Sequence, residues 1–389
     1  MRALPNRFCI IALLLLGLFV ANDTLAQTQS KRRINQSRKR MINNGNRQAT
    51  FSGARLSFGN AKQYLTIGIS ANALNYFGDI VPRDNILSTD IAYTRPGLGI
   101  SSSARLGRAF SVQAAFMYGR MASSDFGTAD PQDEAANYRY VRNLQFRNNI
   151  KDLSIVGVFD LFPNPYSLSL RMRWTPYLFA GVSVFHHNPQ GLVPQQAVLR
   201  EGDLANPFVP EQAGEWVGLK DLQTEGPENT YSNFQISIPF GAGFRFRINE
   251  RFDVEGEVSY RYLFTDYLDD VSGNYADKGL LQSDLARVMS DRSLEPVSAV
   301  SGDPRAIYSP EGTLNRSTST YVGADGVEYV HLPGYGQPHA SANRGNAGEN
   351  DIFVVTTVRL VMMLAPLDLR GRRYLFPRPG IPNPRRFQL

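Results

Sequence analysis

The sequence predicts an all-β fold, namely a small antiparallel transmembrane β-barrel of about eight strands with short periplasmic turns and long extracellular loops. Three observations indicate this class. Segments in which apolar and polar residues alternate recur along the chain, and the connections between them alternate between short and long. In addition, a secretory signal at the N-terminus predicts export.

The signal is predicted from its charge and length. Arg2 and Arg7 precede an apolar run at 8–20, and cleavage is expected after Ala26, so residues 1–26 are assigned to the signal peptide. The run is short for a transmembrane helix, and no later segment approaches 18 continuous apolar residues. Cys9, the only cysteine, lies in the signal. We therefore expect a mature protein without disulfides. Export together with the predicted barrel indicates the Gram-negative outer membrane.

Period-two alternation predicts the strands. One of the clearest segments runs from Arg251 to Thr265, where one row is apolar and largely aromatic and the other row is mostly charged. The eight predicted strands lie at roughly 64–74, 96–106, 109–119, 150–161, 174–186, 234–247, 251–265 and 351–364.

The connections predict which way the barrel faces. Turn-sized connections are expected at 107–108, 162–165 and 248–250, whereas the other four span roughly 20, 30, 45 and 85 residues, a pattern typical of outer-membrane barrels. An even strand number then leaves both termini in the periplasm. A soluble barrel or a two-sheet sandwich would show the same alternation. Glycines and opposite charges in the polar rows favour the membrane barrel, as do aromatic residues near strand ends: Tyr64, Tyr118, Trp174, Phe185, Phe246, Tyr260, Tyr262 and Phe264.

The polar rows predict a closed interior. About eight strands leave room only for interdigitating side chains, so we expect a plug and not a pore. A hairpin at 248–250 places Arg245 opposite Asp253 or Glu255. We interpret Arg245, Asp253, Glu255, Glu257 and Arg261 as an interior charge network, with no catalytic residue, no cofactor and no small-molecule substrate.

Both ends of the mature chain are basic. The net charge is +6, and residues 27–62 contain no acidic residue. In an exported protein such segments give little reason to expect nucleic acid as a partner. We divide the chain into the signal peptide, a flexible basic periplasmic arm at 27–62, the barrel at 63–365 and a basic Pro/Arg-rich periplasmic tail at 366–389.

Two further sites are conceivable at the outer rim. His186 and His187 end one predicted strand, and Asp266, Asp269 and Asp270 follow another, so a hydrolytic Asp/His site is an alternative to a solvated rim. The oxygen-rich stretch 266–275 departs from the EF-hand ligand order, which leaves cation binding open.

The last extracellular loop, 276–350, is long enough to contain structure of its own. Residues 280–291 have a helical apolar rhythm, and residues 293–350 are expected to be irregular. The loop either forms an external lid or partner-binding surface, or it is a flexible surface loop.

Seven segments resemble a known family, the PorG-like outer-membrane β-barrels of Bacteroidetes, which belong to the type IX secretion system. The resemblance covers about residues 60–365, and its most specific part is the run Phe264–Gly273. The other segments are Asn75–Ile80, Arg142–Arg147, Thr175–Val182 with His186–Pro189, Leu222–Gly226, Ile238–Gly241 and Arg344–Asn346.

The resemblance implies a non-enzymatic barrel in outer-membrane lipid that contacts a periplasmic ring built from a lipoprotein and its partner subunit. It also suggests that the basic arm and tail dock periplasmic protein or the negatively charged wall, although neither segment is part of the resemblance. The docking candidates are Arg32, Arg33, Lys39, Arg40, Arg370, Arg372 and Arg373.

Overall fold

The predicted strands form a closed antiparallel barrel. The computed structural model describes residues 64–80, 94–129, 132, 134–163, 171–305, 307 and 315–366, all within the compact unit 56–389. Its strands are β1 (Tyr64–Phe77), β2 (Arg95–Arg105), β3 (Phe110–Ser124), β4 (Gln145–Asp160), β5 (Trp174–His186), β6 (Pro189–Leu192), β7 (Trp216–Gly218), β8 (Phe234–Arg247), β9 (Phe252–Leu263), β10 (Ser319–Val322), β11 (Glu328–His331) and β12 (Ile352–Pro366).

Closure is visible in the pairing of the strands. Strands β1, β2, β3, β4, β5, β8, β9 and β12 each pair with the next, and β12 returns to β1 with Tyr64 opposite Pro366 and Phe77 opposite Ile352. The first and last barrel strands therefore begin and end at the same rim. We call this the short-turn rim, because it carries the connections 106–109, 161–173 and 248–251. The opposite, long-loop rim carries 78–94, 125–144, 187–233 and 264–351.

Some predicted boundaries are wrong. Strand β3 continues five residues beyond 119 to Ser124, and β4 begins at Gln145 instead of 150, because both strands extend past the apolar band into the polar loops. The connection between β4 and β5 spans 161–173 and is longer than the turn predicted at 162–165, although β5 begins at the predicted Trp174. The contrast between short and long connections nevertheless remains.

The outer wall of the barrel is apolar. Outward side chains such as Ile69, Leu98 and Phe234 are 63%, 72% and 66% exposed. A continuous apolar wall of this kind is stable only in contact with lipid. Most of the aromatic residues predicted near strand ends are exposed. The prediction is wrong for Tyr64 and Phe185, which are buried. Phe185 points inward because it belongs to the inward row of β5.

The described part of the long-loop rim contains three short α-helices, α1 (Asp125–Thr128), α2 (Glu134–Arg142) and α3 (Asp284–Ser290). The Ser283 hydroxyl caps α3 by accepting a hydrogen bond from the backbone N–H of Ala286. Among the described residues, no helix has the length and apolarity that crossing a membrane requires.

The long loops build a second core above the barrel. Within the stretch predicted to be irregular, β10 and β11 form a hairpin, so that prediction is wrong for residues 319–331. Val330 of this hairpin packs with Tyr140 and Val141 of α2 and with Tyr275 and Leu332. The described loops thus form a packed cap, which we call the mouth.

Candidate functional site

The barrel lumen contains a balanced set of charges. Five buried or half-buried arginines are ion-paired with five buried carboxylates. The arginines are Arg105, Arg171, Arg245, Arg261 and Arg359, and the carboxylates are Asp152, Asp160, Asp253, Glu255 and Glu257. We call these ten residues the lumen network.

Arg359 of β12 occupies the centre of the lumen network. Its Nη1 lies 2.9 Å from Glu255 Oε2 and 2.7 Å from Glu257 Oε1, and its Nη2 lies 2.8 Å from Glu257 Oε2. Arg245 Nε donates to Glu255 Oε1 at 2.6 Å, and Tyr177 donates to Glu257 at 2.8 Å. Both glutamates are therefore neutralised by close, directional donors.

The structure places the predicted interior residues as follows. Arg245 lies opposite Glu255 in the β8–β9 pairing, whereas Asp253 is bonded by Arg171. Arg261 lies 3.3 Å from Asp152. Five members of the lumen network were not predicted, namely Arg105, Asp152, Asp160, Arg171 and Arg359. Arg171 lies in the connection before β5, outside the alternating segments.

The lumen offers little space. A cavity of about 40 Å³ lies beside Gln113, Asp152, Arg261 and Arg359. That volume holds a few water molecules. Inward side chains of the barrel strands border this cavity, so the space beside them is of water size.

Arg142 is the first of two arginines that hold the mouth together. Its Nε and Nη2 form two bonds with the Asp125 carboxylate, at 2.8 and 2.7 Å. The same guanidinium donates to the backbone carbonyls of Asp79, at 2.9 Å, and of Arg344. Arg142 is 2% exposed. One side chain therefore connects three of the four long loops.

Arg344 is the second of these arginines. Its Nη1 donates to Glu225 Oε1 at 3.0 Å and to the carbonyl of Asp270, and its Nε donates to the carbonyl of Ser290 at 3.2 Å. Glu225 in turn accepts from the backbone N–H of Ser272 at 2.9 Å. Arg344 thereby adds the remaining long loop, 187–233. We call Asp79, Asp125, Arg142, Glu225, Asp270 and Arg344 the mouth network.

Two carboxylates share one hydroxyl beneath the mouth network. The Tyr76 hydroxyl lies 2.6 Å from Asp269 Oδ2 and 2.8 Å from Asp351 Oδ1. Backbone N–H groups of Leu268 and Val271 also donate to this pair. Burial, followed by the negative charge of Asp351, raises the pKa of Asp269 well above its ordinary value. Burial likewise raises the pKa of Asp351, so the pair retains a proton above the ordinary range of aspartate.

Asp270 lies at a strained turn of the mouth. Its backbone is left-handed, with φ 70°, and its carboxylate accepts from Thr224 and from Tyr231 at 2.7 Å. Burial raises the pKa of Asp270 to about 6, although Arg344 opposes the shift. The local strain is stabilised by these side-chain bonds.

Several resemblance segments meet in the mouth. Asp79, Arg142, Glu225, Asp270 and Arg344 each come from a different segment quoted above. The bond between Arg142 and the Arg344 carbonyl spans 202 residues of sequence. The sequence identified these segments as motifs but did not predict that they contact one another.

The rim histidines are not assembled with the nearby aspartates. His187 is buried, and its Nε2 lies 2.9 Å from the carbonyl of Ser232. Burial lowers the pKa of His187 to about 4. His186 packs edge-on against Phe234. No hydrogen bond between either histidine and a carboxylate is present among the described residues, so the geometry gives no support to an Asp/His hydrolase.

The described part of the chain contains no cluster of three His, Cys, Asp or Glu residues that could hold a metal ion. Asp269 and Asp270, considered for cation binding, instead accept hydrogen bonds from tyrosines. The signal peptide and the basic arm lie outside the described residues, as does all but the first residue of the tail. The same holds for all docking candidates: Arg32, Arg33, Lys39, Arg40, Arg370, Arg372 and Arg373.

The sequence matches a family model, described as Domain of unknown function (DUF6089), over residues 54–210. The comparison with curated proteins gave no match. The fold is similar to Neisserial surface protein A (NspA), with 8% identity and a TM-score of 0.30 over 77% of this chain and 96% of that chain. It is also similar to the outer membrane protein OprG from Pseudomonas aeruginosa, with 8% identity and a TM-score of 0.28 over 78% of this chain and 94% of that chain. A major outer membrane protein from Thermus thermophilus has 8% identity and a TM-score of 0.31 over 76% of this chain and 98% of that chain.

Proposed function

We propose that the protein is a non-enzymatic outer-membrane barrel that anchors or docks periplasmic ring subunits of a type IX-like protein secretion machine. The observation that carries the proposal is a filled lumen combined with first and last strands that begin and end at the short-turn rim. A lumen closed by paired charges is unsuited to transport. The short-turn rim of such barrels faces the periplasm, which supports a periplasmic location for both basic segments.

The basic segments are the proposed docking elements. Residues 27–62 carry no acidic residue, and the tail adds Arg370, Arg372 and Arg373. Clustered positive charge accelerates association with acidic protein surfaces and selects among partners. The resemblance to the PorG-like family supports a ring of a lipoprotein and its partner subunit as the docked protein.

Affinity isolation from detergent-solubilised envelopes tests the proposal. The wild-type chain is compared with a variant in which Arg32, Arg33, Lys39 and Arg40 are changed to Gln. We expect the wild type to recover periplasmic ring proteins and the variant to recover at least about tenfold less, because complementary charge pairs are lost. Arg200→Gln at the long-loop rim is the control and retains full recovery. If the wild type recovers no ring protein while the ring stays intact, the proposal fails.

A second candidate is a surface-binding barrel that acts through residues 276–350. It is favoured by the packed core of this loop, since Tyr329 and Val330 are 0% and 1% exposed and hold the hairpin in one position. Replacing 276–350 by a short linker distinguishes the two functions. Intact secretion with loss of cell-surface binding would favour the second.

A further inference from the structure

We propose that the outer wall of β3 and β4 binds phosphate groups of the lipid in the outer leaflet. The inference rests on the proposed location in the outer membrane, with the long-loop rim facing outward. The residues concerned are Arg120, Arg147 and Lys151.

Charge on the lipid-facing wall of the described strands is confined to one place. Alternation assigns every second residue of the eight described barrel strands to the outward rows. In these rows the only Asp, Glu, Lys or Arg residues are Arg120 on β3 and Arg147 and Lys151 on β4. All three are positive and lie on neighbouring strands. Elsewhere on the barrel strands, charged side chains belong to the inward rows.

The register brings the three cations together. Tyr118 lies opposite Lys151, Arg120 opposite Asn149, and Ala122 opposite Arg147. Arg120 is therefore diagonal to both other cations, at Cα separations of about 7–8 Å. Such a triangle of like charges is unfavourable unless an anion joins it.

Neutral partners orient the two guanidinium groups. Arg120 Nε donates to Asn149 Oδ1 at 2.9 Å, and Arg147 Nε donates to Gln190 Oε1 at 2.8 Å. Arg147 also lies 4.1 Å above the Trp216 ring. No carboxylate within the described part of the chain forms an ion pair with any of the three cations. Their remaining N–H groups are positioned for a ligand, and guanidinium suits phosphate oxygens.

The three cations lie at the level of the membrane where lipid headgroups are found. The outward row of β3 is apolar or aromatic from Phe110 to Tyr118, and Leu153 and Ile155 on β4 are 57% and 55% exposed. A tilted strand of about 9–11 residues crosses the hydrocarbon layer. Arg120 therefore lies just beyond that layer, near the long-loop rim. A phosphorylated glycolipid of the outer leaflet presents its phosphates at this level.

Native mass spectrometry of the full chain in detergent tests the proposal, with bisphosphorylated lipid A as the probe and dephosphorylated lipid A as the comparison. We expect the variant R120Q/R147Q/K151Q to bind the phosphorylated probe at least about tenfold more weakly, because charge-assisted hydrogen bonds are lost. The matched control changes three cations of the short-turn rim, R108Q/R173Q/R251Q, and keeps wild-type binding. Circular dichroism checks that each barrel is folded.

If the triple variant fails to fold, Lys151→Glu alone is measured, with the same direction of effect. Equal binding of the phosphorylated probe by the wild type and the variant would overturn the proposal. Equal binding of both probes by the wild type would also overturn it. Recovery of ring proteins is scored separately on the same variants, so a failure of the secretion proposal remains distinguishable from a failure of this one.

Discussion

The lumen network and the mouth network satisfy buried charge in different ways. In the lumen, arginines that lie mostly on regular strands meet carboxylates of other barrel strands, so strand register sets pairs such as Arg245 with Glu255. In the mouth, Arg142 and Arg344 bind backbone carbonyls as well as carboxylates, and they connect residues far apart in sequence. The lumen network thus resists separation of strands, whereas the mouth network resists opening of loops. Damage to the first should affect the whole barrel, and damage to the second only the cap.

The largest effect is expected for Arg359→Met. This change leaves Glu255 and Glu257 buried beside each other with one cation fewer. Breaking a buried ion pair typically costs about 3–5 kcal/mol. We expect the free energy of unfolding of the whole barrel in detergent, measured by urea titration, to fall by that amount. Lys151→Met on the outer wall is the control, and an equal loss in both variants would contradict the role assigned to the lumen network.

A more local effect is expected for Arg142→Met. The change leaves Asp125 buried without its two-bond partner and removes the link to the Asp79 and Arg344 carbonyls. We expect hydrogen exchange of backbone amides near these residues to accelerate by about a hundredfold, corresponding to about 3 kcal/mol. Amides at the centre of β8 and β9 should keep wild-type protection. Uniform acceleration across the barrel strands would show that mouth and lumen are not separable.

The smallest effect is a pH dependence confined to the mouth. Asp269, Asp351 and Asp270 have raised pKa values in the folded protein, so the folded state binds their protons more tightly. Their contribution is therefore complete below the ordinary aspartate pKa and is lost as pH rises, through about 6 for Asp270 and higher for the pair. The lowered pKa of His187 acts in the opposite direction, but it is one group against three. The charged groups around them are Asp79, Asp266, Glu225 and Arg344, with the Tyr76 hydroxyl between the pair.

We expect proteolysis of the mouth to be about tenfold slower at pH 5 than at pH 8, when corrected for protease activity with an unfolded substrate. Asp351→Asn, which mimics a protonated side chain, should reduce this difference. Asp203→Asn on the exposed part of loop 187–233 is the control. Faster cleavage at pH 5 would contradict the sign of the predicted linkage.

Alternation predicted the barrel well, because lipid on one side and packed side chains on the other impose a strict two-residue period. Strands β5 and β8 begin and end at the predicted residues. The errors occur where this constraint ends. Strands β3 and β4 run on into the mouth, and Phe185 is buried in the inward row. The prediction of aromatic girdles used residue type alone and did not ask whether each residue lies in the inward or the outward row of its strand.

The mouth was not predictable in the same way. The motifs around Asp270 and Arg344 were visible, but nothing in either segment states that Arg344 meets Glu225 across 119 residues. Loop contacts depend on chain paths that have no period, so local patterns do not encode their partners. The helical rhythm at 280–291 did locate α3, because one of its faces packs against the mouth core.

The sequence alone determined the class of the protein: its alternation, its even number of strands and its contrast of short and long connections define a closed barrel with an apolar wall. Only the tertiary structure decided which charges meet. A pattern of period two specifies the face on which a residue lies, but the partner depends on strand register and loop path, which arise from contacts across the whole chain. The cluster of Arg120, Arg147 and Lys151 illustrates this, because its residues lie up to 31 positions apart and become neighbours only through the β3–β4 pairing.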